Sequence, residues 1–358
     1  MEKSQKNKKT KKLFPLWLII LLDAVAIGIT LCTFAYFHHV RVVDYSDREF
    51  SKVDLGWEDS SDEPSDSVSF EEPDSVSETI EASEQSTENA ESLESEEQSG
   101  ASAEKGDFTS VFENASVDED AYKSYAGENV IVNLYKIENN VNGAMCYYFA
   151  DVYVRHISNL KTAFAYDTYG QSINEETLKI ATKNSAVVAI NGDYYGIHRR
   201  GVVIRNGTVY RETATDDVCV IFSDGVMKTY LEGEFDIDEV CANGAYQAWN
   251  FGPALLNEDG SAIESFAGNR DISGINPRTA IGYFEPGHYC FVVVDGRQDG
   301  YSHGATLEQL SEILAEHGCV SGYNLDGGKT SMMIFGDEVA NRPTQGGRDV
   351  SDIIFVAE

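Results

Sequence analysis

The chain has 358 residues, with 27 Lys and Arg against 60 Asp and Glu, for a formal net charge of −33. The charge divides unevenly, about +5 over residues 1–43, about −18 over 44–106 and about −20 over 107–358. Binding to a phosphate backbone needs clustered Lys and Arg, so the acidic bulk of the chain excludes nucleic acid and anionic lipid surfaces as its partners.

The first twelve residues form a basic tail with six lysines, Lys3, Lys6, Lys8, Lys9, Lys11 and Lys12. Leu13 to Phe37 is then almost continuously apolar, broken by Pro15, Asp23, Thr30 and Thr33. At about 1.5 Å per residue this run is long enough for a ~30 Å hydrocarbon core. The positive-inside rule then keeps residues 1–12 cytoplasmic and exports the chain beyond the apolar run. The expectation is a transmembrane signal-anchor over 13–37, giving a single-pass cell-membrane protein with an extracytoplasmic C-terminal domain. A cleaved signal peptide ending near Thr33-Phe34-Ala35 competes, although its apolar region would be only about 7–15 residues long. A lipid anchor on Cys32 also competes, with the large Leu31 standing before it. Asp23 reads as a tolerated cost or a helix-pairing contact.

Residues 38–106 are rich in Ser, Glu and Asp, as in Ser83-Glu84-Gln85-Ser86-Thr87-Glu88. Such a stretch buries too little apolar surface to offset its ordering entropy, so a disordered linker is expected, acting as a spacer or a solubilising stalk. The remaining residues, 107–358, are enough for one large domain with its own core.

Within that domain, Val130–Tyr135 and Cys146–Arg155 read as strands and Asn174–Asn184 as a short helix. Val202–Arg205 with Val209–Arg211, and Val218–Phe222 with Val226–Tyr230, read as hairpins around Asn206-Gly207 and Ser223-Asp224-Gly225. Thr306–His317 is the clearest helix. Thr306 and Gln309 form a capping box, Leu307, Leu310, Ile313 and Leu314 share one face, and Gly318 ends it. Lying between Phe291–Val294 and Val320–Leu325, it suggests a βαβ unit. The fold class expected is therefore α+β, a mixed and largely antiparallel central sheet with flanking helices.

Cysteines stand at 32, 146, 219, 241, 290 and 319, with no spacing that suggests zinc. Cys219 and Cys290 sit in strand-like apolar contexts, and disulfide pairing stays open.

Three strand-like segments run into polar turns: Ala186–Ile190 into Asn191-Gly192-Asp193-Tyr194-Tyr195, Phe291–Val294 into Asp295-Gly296-Arg297-Gln298, and Tyr323-Asn324-Leu325 into Asp326-Gly327-Gly328-Lys329-Thr330-Ser331. Strands apolar on both faces are central, and polar residues at their carboxyl ends are where open sheets bind ligands. Glycines there let backbone N–H groups approach an anion. Asp-Gly and Asn-Gly are also ordinary turn signals, and Asn206-Gly207, Asp224-Gly225 and Asp259-Gly260 read as nothing more. Arg278, in Asn276-Pro277-Arg278-Thr279, could clamp a phosphate or carboxylate, or sit in a surface salt bridge. Tyr194 and Tyr195 could stack on a sugar ring or pack in the core.

In this order and spacing, the stretches 189–195, 201–207, 252–255, 277–282, 293–298 with Ser302, Gly304 and Thr306, and 324–328 resemble the phosphodiester glycosidase family, which includes N-acetylglucosamine-1-phosphodiester α-N-acetylglucosaminidase-like domains. The resemblance covers roughly residues 125–356. The family continues its last motif with a third glycine and two serines, where this chain has Lys329-Thr330-Ser331.

The resemblance implies hydrolysis of the bond between a sugar's anomeric carbon and a phosphodiester, in envelope or exopolysaccharide metabolism. For that chemistry Asp326 is read as the catalytic carboxylate, with Asp295 as a second carboxylate that orients the sugar or shares base duty. Arg278, Lys329 and the Gly327-Gly328 backbone would hold phosphate, and Asn191 and Asp193 the sugar hydroxyls. Thr279, Arg297, Asn324, Thr330 and Ser331 complete the expected substrate contacts. No cofactor is expected, with a divalent cation between Asp295 and Asp326 as the alternative. The expected partner is a phosphorylated glycan or sugar-1-phosphodiester. The competing class is a non-catalytic module that binds or organises phosphate-linked surface polysaccharides.

Overall fold

The computed structural model describes residues 16–36, 41–56, 105–139, 143–267 and 273–358. Among the described residues there are three sheets and a two-stranded ribbon, and every pairing among their named strands is antiparallel. The expected mixed sheet is corrected on this point. His288–Val294 and Ser321–Asn324 do flank a helix in sequence, but Arg278–Glu285 lies between them and pairs with both. The crossover therefore skips one strand, and no parallel ladder forms.

The first sheet runs Ser321–Asn324, Arg278–Glu285, His288–Val294, Met145–Val154, Val130–Asn139, Lys123–Ala126. Its central strands are buried on both faces, because Val, Phe and Ile side chains alternate between two cores. The helix Leu307–Glu316 covers one face. Thr306 and Gln309 cap it reciprocally, and Leu307, Leu310, Ile313 and Leu314 are buried beneath it. The second sheet, of five strands, runs Glu338–Val339, Met333–Phe335, Val188–Asn191, Asp352–Val356, Leu160–Phe164. The expected helix over 174–184 forms as Thr177–Lys183 and packs against this sheet. The third sheet holds both expected hairpins, with Asn206 and Gly207 at positive φ in the first turn.

The N-terminal region departs most from expectation. Residues 57–104, most of the expected linker, lie outside the described residues. Residues 41–56 are built into the domain. Val43–Asp44 pairs with Gly170–Gln171, and Ser51–Lys52 adds an edge strand beside Thr208–Arg211. The physical reason lies in two rings that composition had hidden. Tyr45 and Phe50 pack 5.6 and 5.5 Å from Tyr169, and Phe50 lies 4.6 Å from Tyr210. Leu55 and Val53 join two of the apolar cores. A Cβ on Gly56 would stand 3.4 Å from the Lys105 side chain, so the described chain leaves and rejoins the domain at one place.

Leu16–Ala35 forms a 20-residue helix, with its described side chains almost all exposed. Among the described residues, no helix is long and apolar enough to cross a membrane. The segment expected to do so, 13–37, extends beyond the described residues at both ends. All six cysteines are free, and the buried thiols of Cys290 and Cys319 lie 3.5 Å apart beneath the helix 307–316.

Candidate active site

The loops singled out by sequence gather in one place, and buried side-chain amides tie them together. Asn191 ends the strand Val188–Asn191. Its Nδ2 donates to Asp326 O at 2.7 Å, while its Oδ1 accepts from Thr279 Oγ1 at 2.8 Å and Met332 N at 3.4 Å. One buried amide thus joins the strand end at 191, the start of the strand at 279 and the loop after 326. The Gly328 amide adds a bond to Pro277 O at 3.0 Å. A Cβ on Gly327 would lie 2.7 Å from that same carbonyl, so glycine is what allows the two backbones to close. Asn341 brings in the fourth loop, donating to Asp295 Oδ1 at 2.8 Å and to Ser331 O at 3.1 Å.

Several expected substrate contacts are committed elsewhere. Asp295 is 1% exposed, and its carboxylate accepts from Tyr301 Oη at 2.8 Å, Asn341 Nδ2 at 2.8 Å and Arg342 N at 2.9 Å. Burial pushes its pKa up, and those donors oppose the rise. It holds loops together. Asp193 is likewise buried, paired with Arg205 Nη2 at 2.8 Å and accepting from Asn250 N at 3.0 Å. Arg205 bridges on to Asp352 Oδ2 at 2.9 Å, making a sealed Asp–Arg–Asp triad. A side chain at Gly192 would collide with the Asp352 carboxylate.

Arg278 also differs from expectation. Residues on its strand alternate faces, and Arg278 shares its side with Ala280, beneath the helix 307–316. Its Nε donates to Ala305 O at 3.0 Å and its Nη2 to Gly274 O at 2.6 Å. Desolvation lowers its pKa to about 10. The guanidinium braces the approach to that helix. Asn324 donates to Gly252 O at 2.7 Å, leaving its buried Oδ1 without a hydrogen-bond partner among the described residues, as is Ser331 Oγ.

Asp326 remains the carboxylate with a different outlook. Its Oδ2 accepts from Thr330 Oγ1 at 2.8 Å and from Arg348 Nη2 at 3.1 Å, and Arg348 is 44% exposed. Burial raises the pKa of Asp326, while Thr330, Arg348, the Gly327 amide and His198 lower it. Arg348 lies 4.8 Å over the Tyr194 ring, and Tyr194 packs edge-on to His198 at 5.5 Å. Tyr194 holds this place at a φ of 65°. His198 lines a cavity of about 690 Å³, together with Arg199, Arg200, Asn250 and Gly252. Gly252 accepts from Asn324, two positions before Asp326, and His198 lies near enough to lower the Asp326 pKa, while Asp326 itself is not part of the lining. Arg297 flanks the same loop, with its guanidinium near Gly328 and donating to Asn276 Oδ1 at 2.7 Å. Lys329 is exposed.

Sequence reasoning missed Arg348, His198 and Arg205. Arg348 follows Gly346-Gly347, and His198 opens the run His198-Arg199-Arg200 just past Tyr194-Tyr195. That basic run in an acidic domain was the available signal. As for a cation, no three His, Cys, Asp or Glu side chains among the described residues are grouped so as to hold a metal. Asp295 presents its oxygens to three donors and Asp326 faces a cation, which is the opposite of a chelating pair.

Residues 184–357 match the sequence model of the phosphodiester glycosidase family. This segment belongs to that family. The structural domain is larger than the match, because Met145–Val154 pairs along its length with His288–Val294 inside it. The chain is 29% identical over 206 residues to the SPbeta prophage-derived uncharacterized protein YomE of Bacillus subtilis (strain 168). That alignment covers 53% of this chain and 32% of the relative, about a third of its length. The fold is similar to the zebrafish N-acetylglucosamine-1-phosphodiester alpha-N-acetylglucosaminidase catalytic domain auto-inhibited by its pro-peptide. The TM-score is 0.52 at 19% identity, covering 66% of this chain and 86% of that one. It is also similar to a hypothetical protein from Synechocystis, with a TM-score of 0.51 at 14% identity, covering 66% and 64% of the two chains.

Proposed function

We propose that this domain hydrolyses the bond between a sugar's anomeric carbon and a phosphodiester, with Asp326 as the working carboxylate. The observation that carries this is the setting of Asp326, where four loops converge, beside the exposed cation Arg348 and the ring of Tyr194. In the reaction the C1–O bond breaks and its electron pair leaves with the phosphate oxygen. Water supplies the hydroxyl to C1 and its proton passes to Asp326. A phosphate ester leaves readily, so the reaction needs less general-acid help than ordinary glycoside hydrolysis. This fits a site with one working carboxylate while Asp295 is bound up in structure. Arg348 has N–H groups beyond the one given to Asp326 and would hold the departing phosphate in a charge-assisted contact. Tyr194 would stack on the sugar, and the Gly327-Gly328 backbone, Arg297 and Lys329 line the approach.

The proposed setting is a cell membrane, with glycans of the cell surface as substrate. Its support is in the sequence, the apolar run 13–37 behind six lysines. Trp17, Phe34 and Tyr36 stand near the two ends of the helix, where interfacial rings belong.

The test is release of free sugar from a panel of sugar-1-phosphodiesters by the full chain, with Asp326→Asn as the control. Turnover that disappears in the variant is the expected result. Equal turnover in both removes Asp326 from the role, and binding without turnover across the panel makes the domain a non-catalytic glycan-binding module.

A further inference from the structure

Arg199 and Arg200 stand between two cavities. One is the space of about 690 Å³ lined by His198, Asn250 and Gly252, with His198 near enough to Asp326 to lower its pKa. The other, about 490 Å³, is lined by Glu49, Phe50 and Ser51 of the N-terminal segment and by Tyr210 and Arg211. Both volumes fall within the roughly 300–1,000 Å³ of small-ligand pockets. Arg211 is aimed by its own bonds, Nη1 to His198 O and Nη2 to Tyr195 O, and its buried Nε has no hydrogen-bond partner among the described residues. Three arginines therefore meet at the second cavity, against the carboxylates of Glu49 and Glu212, in a chain whose net charge is −33. Arginine in such a cluster suits the planar, multidentate recognition of phosphate.

We propose that the second cavity is a subsite for a further phosphodiester of the same molecule, and that the substrate is an oligomer of glycosyl phosphates rather than a single sugar phosphodiester. The inference rests on the reading of the Asp326 cleft given above. One phosphodiester lies at Asp326 and Arg348, and the next lies across the Arg200 wall. The N-terminal segment 41–56 then takes part in substrate binding, because it forms the outer side of the subsite.

The experiment measures binding and turnover of synthetic hexose-1-phosphate oligomers with one, two and three phosphodiesters, using the full chain and its Arg200→Gln and Arg200→Lys variants. The two-phosphodiester probe is expected to bind about tenfold more tightly than the one-phosphodiester probe, the scale of one charge-assisted hydrogen bond. Arg200→Gln, at the wall shared by both cavities, weakens the two-phosphodiester probe more than the shortest one, and Arg200→Lys keeps part of the gain. Affinity independent of phosphodiester number overturns the proposal, as does an equal weakening of all probes by Arg200→Gln. Length-dependent binding with no turnover of any probe keeps the subsite and defeats the hydrolase reading. Turnover with no length dependence does the reverse.

Discussion

Asp295 and Asp326 each lie just beyond a strand of the same six-stranded sheet, and each is followed by glycine. Burial raises the pKa of both. Their surroundings nevertheless differ in kind. Asp295 is enclosed by a phenol from its own loop and by an amide and a backbone N–H from the neighbouring residues 341 and 342. Asp326 receives one hydroxyl from its own turn and one guanidinium that is partly in solvent. Desolvation alone therefore does not mark a working carboxylate. What separates the two is whether all the donors are fixed parts of the scaffold or include a partly exposed side chain.

The sharpest way to break this comparison is to neutralise each acid in turn. Asp326→Asn should lower kcat/KM on a sugar-1-phosphodiester by about a thousandfold or more, with thermal stability nearly unchanged. Asp295→Asn places an amide against three donors and should cost about 1–3 kcal/mol in urea unfolding. If the Asp295 variant lost activity at full stability, the two roles would have to be exchanged.

A finer test uses the exposed partner. Arg348 lowers the pKa that burial has raised in Asp326. In Arg348→Gln the carboxyl rises further, so the acid limb of the kcat/KM profile should move to higher pH, while stability changes by less than about 1 kcal/mol. A limb that stays in place would separate Arg348 from the ionisation of Asp326.

The smallest effect concerns the sealed triad. Burial pushes Asp352 up to about 7, against the pull of Arg205, whereas an unfolded aspartate titrates near ~3.9. Between those values the folded protein holds a proton that the unfolded chain has released. This contribution to stability is present below about pH 4 and is lost as pH rises through about 7. Melting temperature measured from pH 4 to 7 should therefore fall less steeply in Asp352→Asn than in the parent. The slope does not vanish, because Asp295 and Asp326 shift in the same direction.

Local signals were legible where local chemistry decides. The helix after Thr306 formed with its expected cap and buried face, and both hairpins closed where Asn-Gly and Asp-Gly turns stood. The loops at 191, 295 and 326, expected to gather with Arg278, come together with Thr279 in its place. Side-chain direction was not legible. Arg278 sits one residue before Thr279, and the strand alternation sends the two to opposite faces, one beneath a helix and one onto Asn191. Asp193 looked like a sugar contact because Arg205, twelve positions on, has no sequence signature as its partner. The segment 41–56 read as linker because its two anchoring rings are diluted among acids.

By itself the sequence determined the segregation of charge, the caps and turns, the antiparallel tendency and the family motifs of residues 184–357, since each depends on neighbours in the chain. Tertiary structure alone decided which aspartate is enclosed by scaffold donors and which faces a partly exposed arginine, that Arg348 joins Asp326 from 22 residues away, and that residues 41–56 complete the domain. Those outcomes depend on how far each carboxylate is withdrawn from water and on which donors reach it, and only packing between distant segments sets either.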